Sequence, residues 1–405
     1  MIFYGTKKYG QGLYGDDKRT FNLRVLFRNN ERTLTLFMDP RAVVHELPRS
    51  TFYGTQKYKH GIYTSKHQKP VLLDVNWEYN RIGGCGACNL VIALPYTAID
   101  QIAAGMEVQI DCLPENGLKY KTWYRGEVGL REQVLGGVDV VNIQAQGYVM
   151  QLDRVRMDNI TYASTDTGSI VADIIDTYVI PDTDIKRTIA LGLVVATDFT
   201  IDTITFNGTA MEAIRTLAEL TGNAEWGVNL DREIFFKIRS ETVTRVYNAG
   251  DFTALSESED FGNIKNQYKL FGSGDYVRER GDSASQTTYD KRSDILQQSA
   301  IGSNAVADQY IDGFLAQTKN PIKTFNGGLS NVREKIEGDA VPLGLLKIMN
   351  IDAAYKWKSY QIENIVYSLG DGDGLTVTMV GGKLREDITE TLAYFDYRLN
   401  QLVDV

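Results

Sequence analysis

The chain is poor in the residues that catalysis and covalent cross-linking most often use. Three cysteines, three histidines and eight prolines occur among 405 residues. A small and odd number of cysteines excludes a disulfide framework and is typical of a protein that folds in a reducing compartment. We therefore expect packed hydrophobic cores, rather than cross-links, to hold the fold together.

Long apolar runs are absent as well. No stretch approaches the roughly 18 consecutive apolar residues that a membrane-spanning helix needs. The N-terminal residues 1–15 contain no apolar stretch followed by a small-residue cleavage site, so we predict neither a membrane span nor a secretory signal. Hydrophobic residues make up 43% and charged residues 23% of the chain, which is ordinary for a globular protein with several domains.

Charge is distributed unevenly. Residues 1–66 contain twelve Lys and Arg and five Asp and Glu, a net charge of +7. Because the whole chain carries −9, the rest carries −16. An acidic body disfavours nucleic-acid binding as the main task, since phosphates need a cationic surface. It suits the wall of a channel through which DNA slides without sticking.

Residues 1–66 also contain an internal repeat. Phe3–Tyr9 recurs as Phe52–Tyr58, an offset of 49 residues, and each copy continues to a further Gly-x-Tyr. Tyr and Gly at this spacing favour loops with aromatic anchors. We predict an arm that either packs on its own domain or inserts between neighbouring subunits. Its predicted contact residues are Tyr4, Tyr9, Tyr14, Tyr53, Tyr58 and Tyr63.

The remaining chain predicts a mainly β protein with an α+β insert. Residues 67–158 consist of short alternating runs separated by turn residues, which predict a first, tube-like β-barrel domain. Residues 159–240 predict the α+β insert, since Thr209 and Glu212 form a capping box and Gly222 can end that helix. A hairpin follows around Asp231-Arg232.

Residues 241–385 predict a second tube-like β-barrel domain with a loop and a helix. The polar stretch 274–299 lacks periodicity and predicts a mobile loop. A helix after Ser303 places Val306, Tyr310 and Phe314 on one face.

The last segment, residues 386–405, predicts a C-terminal helix. Its apolar residues recur in steps of four and three, a heptad-like seam that is too short for an autonomous coiled coil. The helix either docks on its own body or contacts a symmetry axis or a downstream protein. The seam is Ile388, Leu392, Phe395, Leu399 and Leu402, and our predicted contact residues are Leu392, Phe395 and Leu399.

A catalytic set is missing from the motifs. No HExxH, GxSxG or Walker glycine loop occurs, so we predict no enzyme and no cofactor. Cys85 and Cys88 form a CxxC to which Cys112 could add a third zinc ligand, but no nearby histidine supplies a fourth. Small buried thiols are the favoured interpretation, and we predict no metal site.

Two acidic features have a structural and a chemical interpretation. Residues 371–374 (Asp-Gly-Asp-Gly) resemble the start of a calcium loop but lack its later ligands, which favours a hairpin turn. The acidic groups at 16–17 and 257–260 could act as glycosidase carboxylates, although solvated acidic loops are the commoner case.

Two passages resemble a known family. The first runs through Phe206–Gly222, Trp226–Lys237 and Asp260–Tyr268: a helix ending in Leu-Thr-Gly, a tryptophan-led hairpin and an Asn-rich strand. The second combines residues 336–344 with Tyr360–Met379. Together they are similar to the hub proteins of bacteriophage tail baseplates. The repeated Tyr/Gly arm departs from that pattern.

The resemblance implies a fold, partners and a location. Family members are homotrimers in which each chain contributes two tube-like β-barrels, so that three chains adapt a sixfold tail tube to a threefold spike. The implied partners are further copies of this chain, the tail tube or distal tail protein, the central spike or tail fibre, and the tape measure protein, with genomic DNA only in transit. The implied location is the tail tip of the virion, after assembly in the host cytoplasm.

Other functions stay open at this stage. The 23 tyrosines are compatible with a glycan-binding tail-tip protein that recognises a receptor. A hydrolase acting on the cell wall and the hub of a phage-derived contractile injection device are further alternatives. Glycan binding, peptidoglycan cleavage and the neighbouring genes would discriminate among them.

Overall fold

The computed structural model describes residues 23–29, 33–37, 71–93, 102–112, 120–134, 140–222, 224–239, 242–330, 345–350, 357–370 and 374–383. The Tyr/Gly repeats and the C-terminal helix lie outside these residues. The contact residues predicted there therefore stay predictions: Tyr4, Tyr9, Tyr14, Tyr53, Tyr58, Tyr63, Leu392, Phe395 and Leu399.

Strands dominate the described residues, as the sequence predicts. In chain order the strands are β1 (Leu23–Arg28), β2 (Thr33–Phe37), β3 (Val71–Asn80), β4 (Gly83–Ala93), β5 (Glu107–Cys112), β6 (Lys121–Val134), β7 (Val140–Gly147), β8 (Arg156–Asp166), β9 (Thr200–Thr209), β10 (Ala224–Val228), β11 (Ile234–Ile238), β12 (Val243–Asn248), β13 (Ala254–Asp260), β14 (Gln267–Phe271), β15 (Val277–Gly281), β16 (Ser293–Gln297), β17 (Ile322–Ser330), β18 (Leu345–Met349), β19 (Lys358–Gly370) and β20 (Gly374–Lys383).

Four α-helices accompany the strands in the described part of the chain. They are α1 (Thr167–Ile174), α2 (Ala210–Thr221), α3 (Ser283–Tyr289) and α4 (Asn304–Thr318). None of the helices described is long and apolar enough to cross a membrane.

Fifteen strands belong to one sheet. Its main path runs β13-β17-β20-β19-β3-β4-β7-β6-β5-β1-β2, with the β10–β11 hairpin attached to β4 and the β12–β18 pair attached to β19. The two predicted barrel regions meet where β3 pairs antiparallel with β19. The mainly β fold is thereby confirmed. Its division into two tube-like barrels at the predicted boundaries remains a proposal.

Aromatic side chains fill the core of this sheet from both regions. Trp77 of β3 stacks on Tyr367 of β19 with 5.1 Å between ring centroids, and Trp123 of β6 lies 5.4 Å from the same tyrosine. Near the other end of β19, Tyr360 stacks on Phe325 at 4.6 Å. A register shift between Ile362 and Asn364 offsets the alternation by one residue, so that Tyr360 and Tyr367 both face the core.

A second core belongs to an α+β unit that is wider than the predicted insert. It includes α1, α2 and the β10–β11 hairpin, together with the β8–β9 pair. Residues from the stretch 264–315 also contribute to this core, among them Tyr268, Leu270, Ile311 and Leu315. The unit therefore draws on a segment that the sequence assigns to the second barrel.

The predicted loop over 274–299 is wrong. That stretch contains β15, α3 and β16, and the two strands flank β14 in a three-stranded sheet. Only one face of this sheet meets α4, and its two outer strands carry polar residues on both faces. Apolar periodicity is consequently too weak to be read from the sequence.

Local capping predictions have mixed outcomes. Thr209 and Glu212 form the predicted capping box, and Gly222 ends α2 with a left-handed φ of 79°. Ser303 is the N-cap of α4 but makes no side-chain capping hydrogen bond. The buried stripe of α4 consists of Ala307, Tyr310, Ile311 and Leu315, so Val306 and Phe314 lie at its margin.

Candidate functional site at the junction of the sheet and the α+β unit

The face of β5 that points away from the hydrophobic core carries a row of polar side chains, and these side chains are also buried. Glu107, Gln109 and Asp111 are 8%, 6% and 1% exposed, while the alternate residues face the core. Arg24 of β1 holds Asp111 at 2.9 Å, and Gln109 donates to Asp111 at 2.6 Å. We call these three β5 side chains and their partners the β5 polar row. The three β5 side chains each have hydrogen-bond partners, mostly on neighbouring strands, as buried polar groups require.

Glu107 is the point where the polar row reaches the α+β unit. Its Oε2 accepts a 2.7 Å hydrogen bond from the Tyr148 hydroxyl and a hydrogen bond from Arg232. Arg232 lies at the turn between β10 and β11, with a left-handed φ of 65°. Its guanidinium also lies over the Tyr148 ring, 4.8 Å from the centroid. One carboxylate of the sheet thus holds two elements of the α+β unit.

The electrostatics of this cluster favour the ion pair. Burial and the hydrogen bond to Glu107 raise the pKa of Tyr148, so its hydroxyl stays a proton donor. Burial opposes the charge of Arg232, yet Tyr148 and Glu107 raise its pKa overall. The cluster therefore keeps its protons in place and serves as a fixed electrostatic link.

A second ionic cluster joins three parts of the fold. Arg81, at the β3–β4 turn, donates to Glu363 of β19 at 2.6 Å and to Glu225 of β10 at 3.5 Å. Arg239, just after β11, donates to Glu363 at 3.0 Å. Burial and the nearby Arg81 lower the pKa of Arg239. Two arginines and two glutamates thereby tie the sheet to the β10–β11 hairpin.

Glycine makes the close contact between the sheet and this hairpin possible. β10 pairs parallel with the start of β4, with Gly227 opposite Gly83 and Val228 opposite Gly84. Gly84 has a φ of +83°, and a Cβ there would overlap the carbonyl oxygen of Val228. The glycine-rich stretch in the sequence therefore marks a close backbone approach.

An open cleft of about 340 Å³ lies beside the junction. Its lining residues are Glu127, Gln151, Arg154, Pro181, Asp182, Thr183 and Asp184. The Gln151 amide donates to Glu127 at 2.5 Å, and Arg154 donates to the same carboxylate at 2.7 Å. The Glu127 carboxylate thus takes part in hydrogen bonds that hold the surface together.

The cysteines singled out in the sequence are small buried thiols. Cys85 and Cys88 lie on β4 opposite Tyr79 and Trp77, and both are buried, as is Cys112. Burial raises the pKa of the Cys85 thiol to about 12 and also raises that of Cys88. Both remain protonated thiols at neutral pH, whereas zinc binds thiolates. In the part of the chain that the structure describes, no cluster of three or more His, Cys, Asp or Glu could hold a metal ion.

The acidic candidates at 257–260 are likewise held by neighbours, whereas residues 16–17 lie outside the described residues. Glu257 accepts hydrogen bonds from Lys358 at 2.5 Å and from Tyr360 at 3.1 Å. Glu259 pairs with Lys323 at 2.6 Å. Residues 371–373 lie outside the described residues, but Gly370 pairs with Gly374, which confirms the hairpin between β19 and β20.

Sequence reasoning missed the residues that form the junction. Glu107 and Arg232 are 125 residues apart, and Arg81 and Glu363 are 282 apart. The only local signals are the alternation of Glu, Gln and Asp along β5 and the glycines at the start of β4. Neither signal says which distant cation completes the site.

Comparisons with known proteins identify solved structures that have a similar fold. No protein-family model matches the sequence, and no curated protein matches it. Among solved structures, a 43 kDa tail protein of prophage MuSo2 from Shewanella oneidensis is similar, with a TM-score of 0.60 and 13% identity, over 89% of this chain and 98% of that chain. A tail protein from Neisseria meningitidis MC58 has a TM-score of 0.59 and 10% identity, over 77% and 92% of the two chains.

These similarities extend over almost the whole length of both tail proteins. Identities of 13% and 10% carry information on fold and none on individual site residues. The resemblance predicted from the sequence is confirmed at that level, and the chain shares the fold of these two tail proteins.

Proposed function

We propose that this protein is a structural component of a bacteriophage tail, and specifically the homotrimeric hub of the tail tip. The observation that carries the proposal is the fold shared with the Shewanella prophage tail protein across 98% of that chain. The proposed role is mechanical and involves no covalent reaction.

The topology of the large sheet supports assembly around an axis. Its main path ends at β2 on one side and β13 on the other, and among the described strands each end strand pairs with one neighbour only. Open sheet edges present unpaired N–H and C=O groups that a neighbouring strand can satisfy. Copies joined edge to edge in a head-to-tail manner close into a ring when the rotation permits.

The charged junction supports the mechanical part of the proposal. The Glu107 cluster and the Arg81 cluster link the α+β unit to the sheet at two separate points. In the proposed role, these links carry force between the α+β unit and the sheet. In the proposed hub, the sheets line the channel, and the outer units bind the tail tube or distal tail protein, the spike or tail fibre, and the tape measure protein.

A mass measurement tests the proposed assembly. Light scattering of the purified full chain is expected to give three times the 45.4 kDa monomer mass, and electron microscopy a threefold ring. A stable monomer at high concentration, or a sixfold ring of this chain alone, would contradict the proposal.

Charged substitutions on the edge strand test how the ring closes. Ser256→Lys with Ser258→Lys places two cations on exposed positions of β13 and is expected to weaken trimer formation about tenfold or more. Thr288→Lys on the exposed side of α3 is the matched control and should leave the mass unchanged. If the two variants form trimers equally well, β13 is excluded from the contact between copies of the chain.

A further inference from the structure

Residues 187–193 form a short loop whose two ends are bonded to β11. Just before the loop, the Lys186 carbonyl accepts a 2.9 Å hydrogen bond from the Ile234 amide. At its end, the Leu193 carbonyl accepts a 2.8 Å hydrogen bond from the Phe236 amide. These bonds fix the loop to the edge of β11 that faces away from β10. We call residues 187–193 the β11 loop.

A buried carboxylate orders the β11 loop from within. Glu233 is 7% exposed, and it accepts hydrogen bonds from the Thr188 amide at 2.8 Å and from the Thr188 hydroxyl at 2.7 Å. The Gly192 amide then donates to the Ile189 carbonyl at 3.1 Å and closes a tight turn. Because the loop is already ordered, the binding of a partner costs little conformational entropy.

Two large apolar side chains lie on the turn of this loop. Ile189 is 76% exposed and Leu191 is 56% exposed, and Ala190 between them is exposed as well. Ile189 is the most exposed large apolar side chain among the described residues. Single exposed apolar residues are ordinary, but an ordered loop that presents two of them together indicates a contact surface.

A second apolar surface lies on the three-stranded sheet β15-β14-β16. Its inner face carries Tyr268, which packs on Phe314 of α4 with 5.7 Å between ring centroids. The opposite face presents Phe271, Val277 and Ile295, which are 38%, 46% and 59% exposed. Phe271 lies directly opposite Val277, and Ile295 lies opposite the residue two positions before Phe271. We call these three side chains the outer patch.

The β11 loop and the outer patch lie at two ends of the α+β unit. The three-stranded sheet packs on α4 through the face opposite the patch. Gln317 of α4 donates to the carbonyl of Gly222, at the end of α2, at 2.6 Å. Helix α2 contacts β10, and the β11 loop is bonded to β11 on the far side of that strand pair. One chain thus keeps the two surfaces apart, and a contact between them requires two chains.

The charges beside the two surfaces are complementary. On the face of the outer patch, Lys269 lies opposite Glu279, and its ammonium group is 5.2 Å from the centroid of the Phe271 ring. Beside the β11 loop, Lys186 and Asp184 are both exposed. Each surface therefore has one cation and one anion next to an apolar centre, and two chains can pair them with opposite signs.

We propose that the β11 loop of one copy of this chain docks on the outer patch of the next copy, with Ile189 and Leu191 packed against the patch. The contact joins two different surfaces of the chain, so it is head-to-tail and repeats from copy to copy until a ring closes. It holds neighbouring α+β units together in addition to any pairing of the large sheets. The inference rests on the proposed homotrimer, because it needs a second copy.

Disulfide cross-linking between chains tests the contact directly. Full-length Leu191→Cys and Ile295→Cys chains, each with a different tag, are co-expressed and oxidised. We expect a disulfide between the two chains, seen by mass spectrometry as a peptide pair that joins the two positions. Leu130→Cys with Ile295→Cys is the matched control and should give no such pair, since Leu130 is 51% exposed on β6 of the large sheet. The three native cysteines are buried and can stay in place.

Dissociation of the assembly supplies a second readout. Leu191→Asp is expected to raise the concentration at which the assembly dissociates about tenfold or more, because a charge enters an apolar contact. Leu130→Asp places the same charge on another exposed apolar position and should leave that concentration unchanged. Mass photometry of diluted samples measures both variants against the parent chain.

The outcomes separate this inference from the proposed assembly. If the parent chain is a trimer, the inference is overturned by equal cross-linking in both cysteine pairs, by the absence of the expected pair, or by a Leu191→Asp variant that dissociates like the parent. The trimer itself stands in each of these cases. If the parent chain is a monomer at every concentration, the proposed homotrimer is wrong and the contact between copies is excluded with it.

Discussion

At the residue scale, Gly84 shows how one missing side chain allows two units to join. Its φ of +83° and the nearby Val228 carbonyl leave no room for a Cβ. We expect Gly84→Ala to destabilise the protein by about 3 kcal/mol or more, because backbone strain and a backbone clash add. Chemical denaturation of both proteins measures the change.

Gly105 offers a matched control for that substitution. It has a similar φ of +79°, but a Cβ at this position would meet no atom within 4 Å. Gly105→Ala should therefore cost only the conformational strain, about 1 kcal/mol. Similar losses in the two variants would show that the approach of β10 to β4 adds nothing to the cost.

Tyr148 tests the buried link through Glu107. Tyr148→Phe keeps the ring under Arg232 but removes the 2.7 Å hydrogen bond to Glu107. We expect a loss of about 2 kcal/mol in the free energy of unfolding, since a buried hydrogen bond to a carboxylate is lost. Tyr162→Phe removes a hydrogen bond of equal length to Asp173 at an exposed site and should cost less than about 1 kcal/mol. The opposite order of the two losses would argue against a strong link at Glu107.

At the element scale, α2 owes its start to a capping box. Thr209 accepts from the Glu212 amide at 3.2 Å, and Glu212 accepts from the Thr209 amide at 3.0 Å. Thr209→Ala is expected to lower stability by about 1 kcal/mol, because one helix N–H group loses its acceptor. Thr216→Ala, later in the same helix, should be close to neutral in thermal unfolding. A neutral Thr209→Ala would mean that packing alone fixes the start of α2.

The contact of α4 with β15 should depend on pH. Arg278 and Arg280 lower the pKa of Asp308 below its ordinary value, with the Arg278 hydrogen bonds as the larger cause. A carboxyl whose pKa is lower in the folded state stabilises the fold above its unfolded pKa of about 3.9 and loses this effect as pH falls through its folded pKa.

Asp308→Asn measures this dependence. We expect the variant to have a lower Tm than the parent at pH 7 and the difference to shrink progressively below about pH 4. Asp312→Asn, which removes a more exposed partner of Arg280, should show a smaller difference. A difference for Asp308→Asn that stays constant from pH 7 to pH 2 would contradict the assigned role.

Helices and hairpins were predictable from the sequence where residues close in the chain determine them. The capping box of α2, the β10–β11 hairpin and the β19–β20 hairpin each depend on residues close in sequence, and all three predictions are confirmed. The loop prediction for residues 274–299 failed because long-range contacts hold these strands in place. Both β15 and β16 pair with β14, and β15 also contacts α4.

At the scale of the whole molecule, two hydrophobic cores are joined by two ionic clusters and one short strand contact. Arg81→Met with Arg232→Met removes the cation that contributes the shortest contacts in each cluster and leaves Glu107 and Glu363 less compensated. Removing one partner of a buried ion pair costs about 3 kcal/mol, and the cost is smaller where the remaining partner is partly exposed, as Glu363 is. We expect calorimetry to show one unfolding transition for the parent protein and two for the double variant, one for each core.

Arg278→Met is the control for that double substitution. It also removes an arginine with carboxylate partners, but both partners of this ion pair lie within the α+β unit. Its unfolding should stay in one transition. Two transitions in the control, or one in the double variant, would show that the ionic clusters do not couple the cores.

The amino-acid sequence alone was enough to predict the mainly β composition, the capped helix, the tight hairpins and the likeness to phage tail proteins. Each of these rests on spacing, propensity or turn chemistry within a short stretch of chain. Long-range packing determines that strands from both predicted barrels share one sheet, that residues 264–315 contribute to the α+β unit, and that Arg232 and Arg81 meet their carboxylates. The strand pairing of β3 with β19 and the two ion pairs join residues more than 100 positions apart. The pattern of side chains along the sequence does not indicate which distant partner a buried polar group will contact.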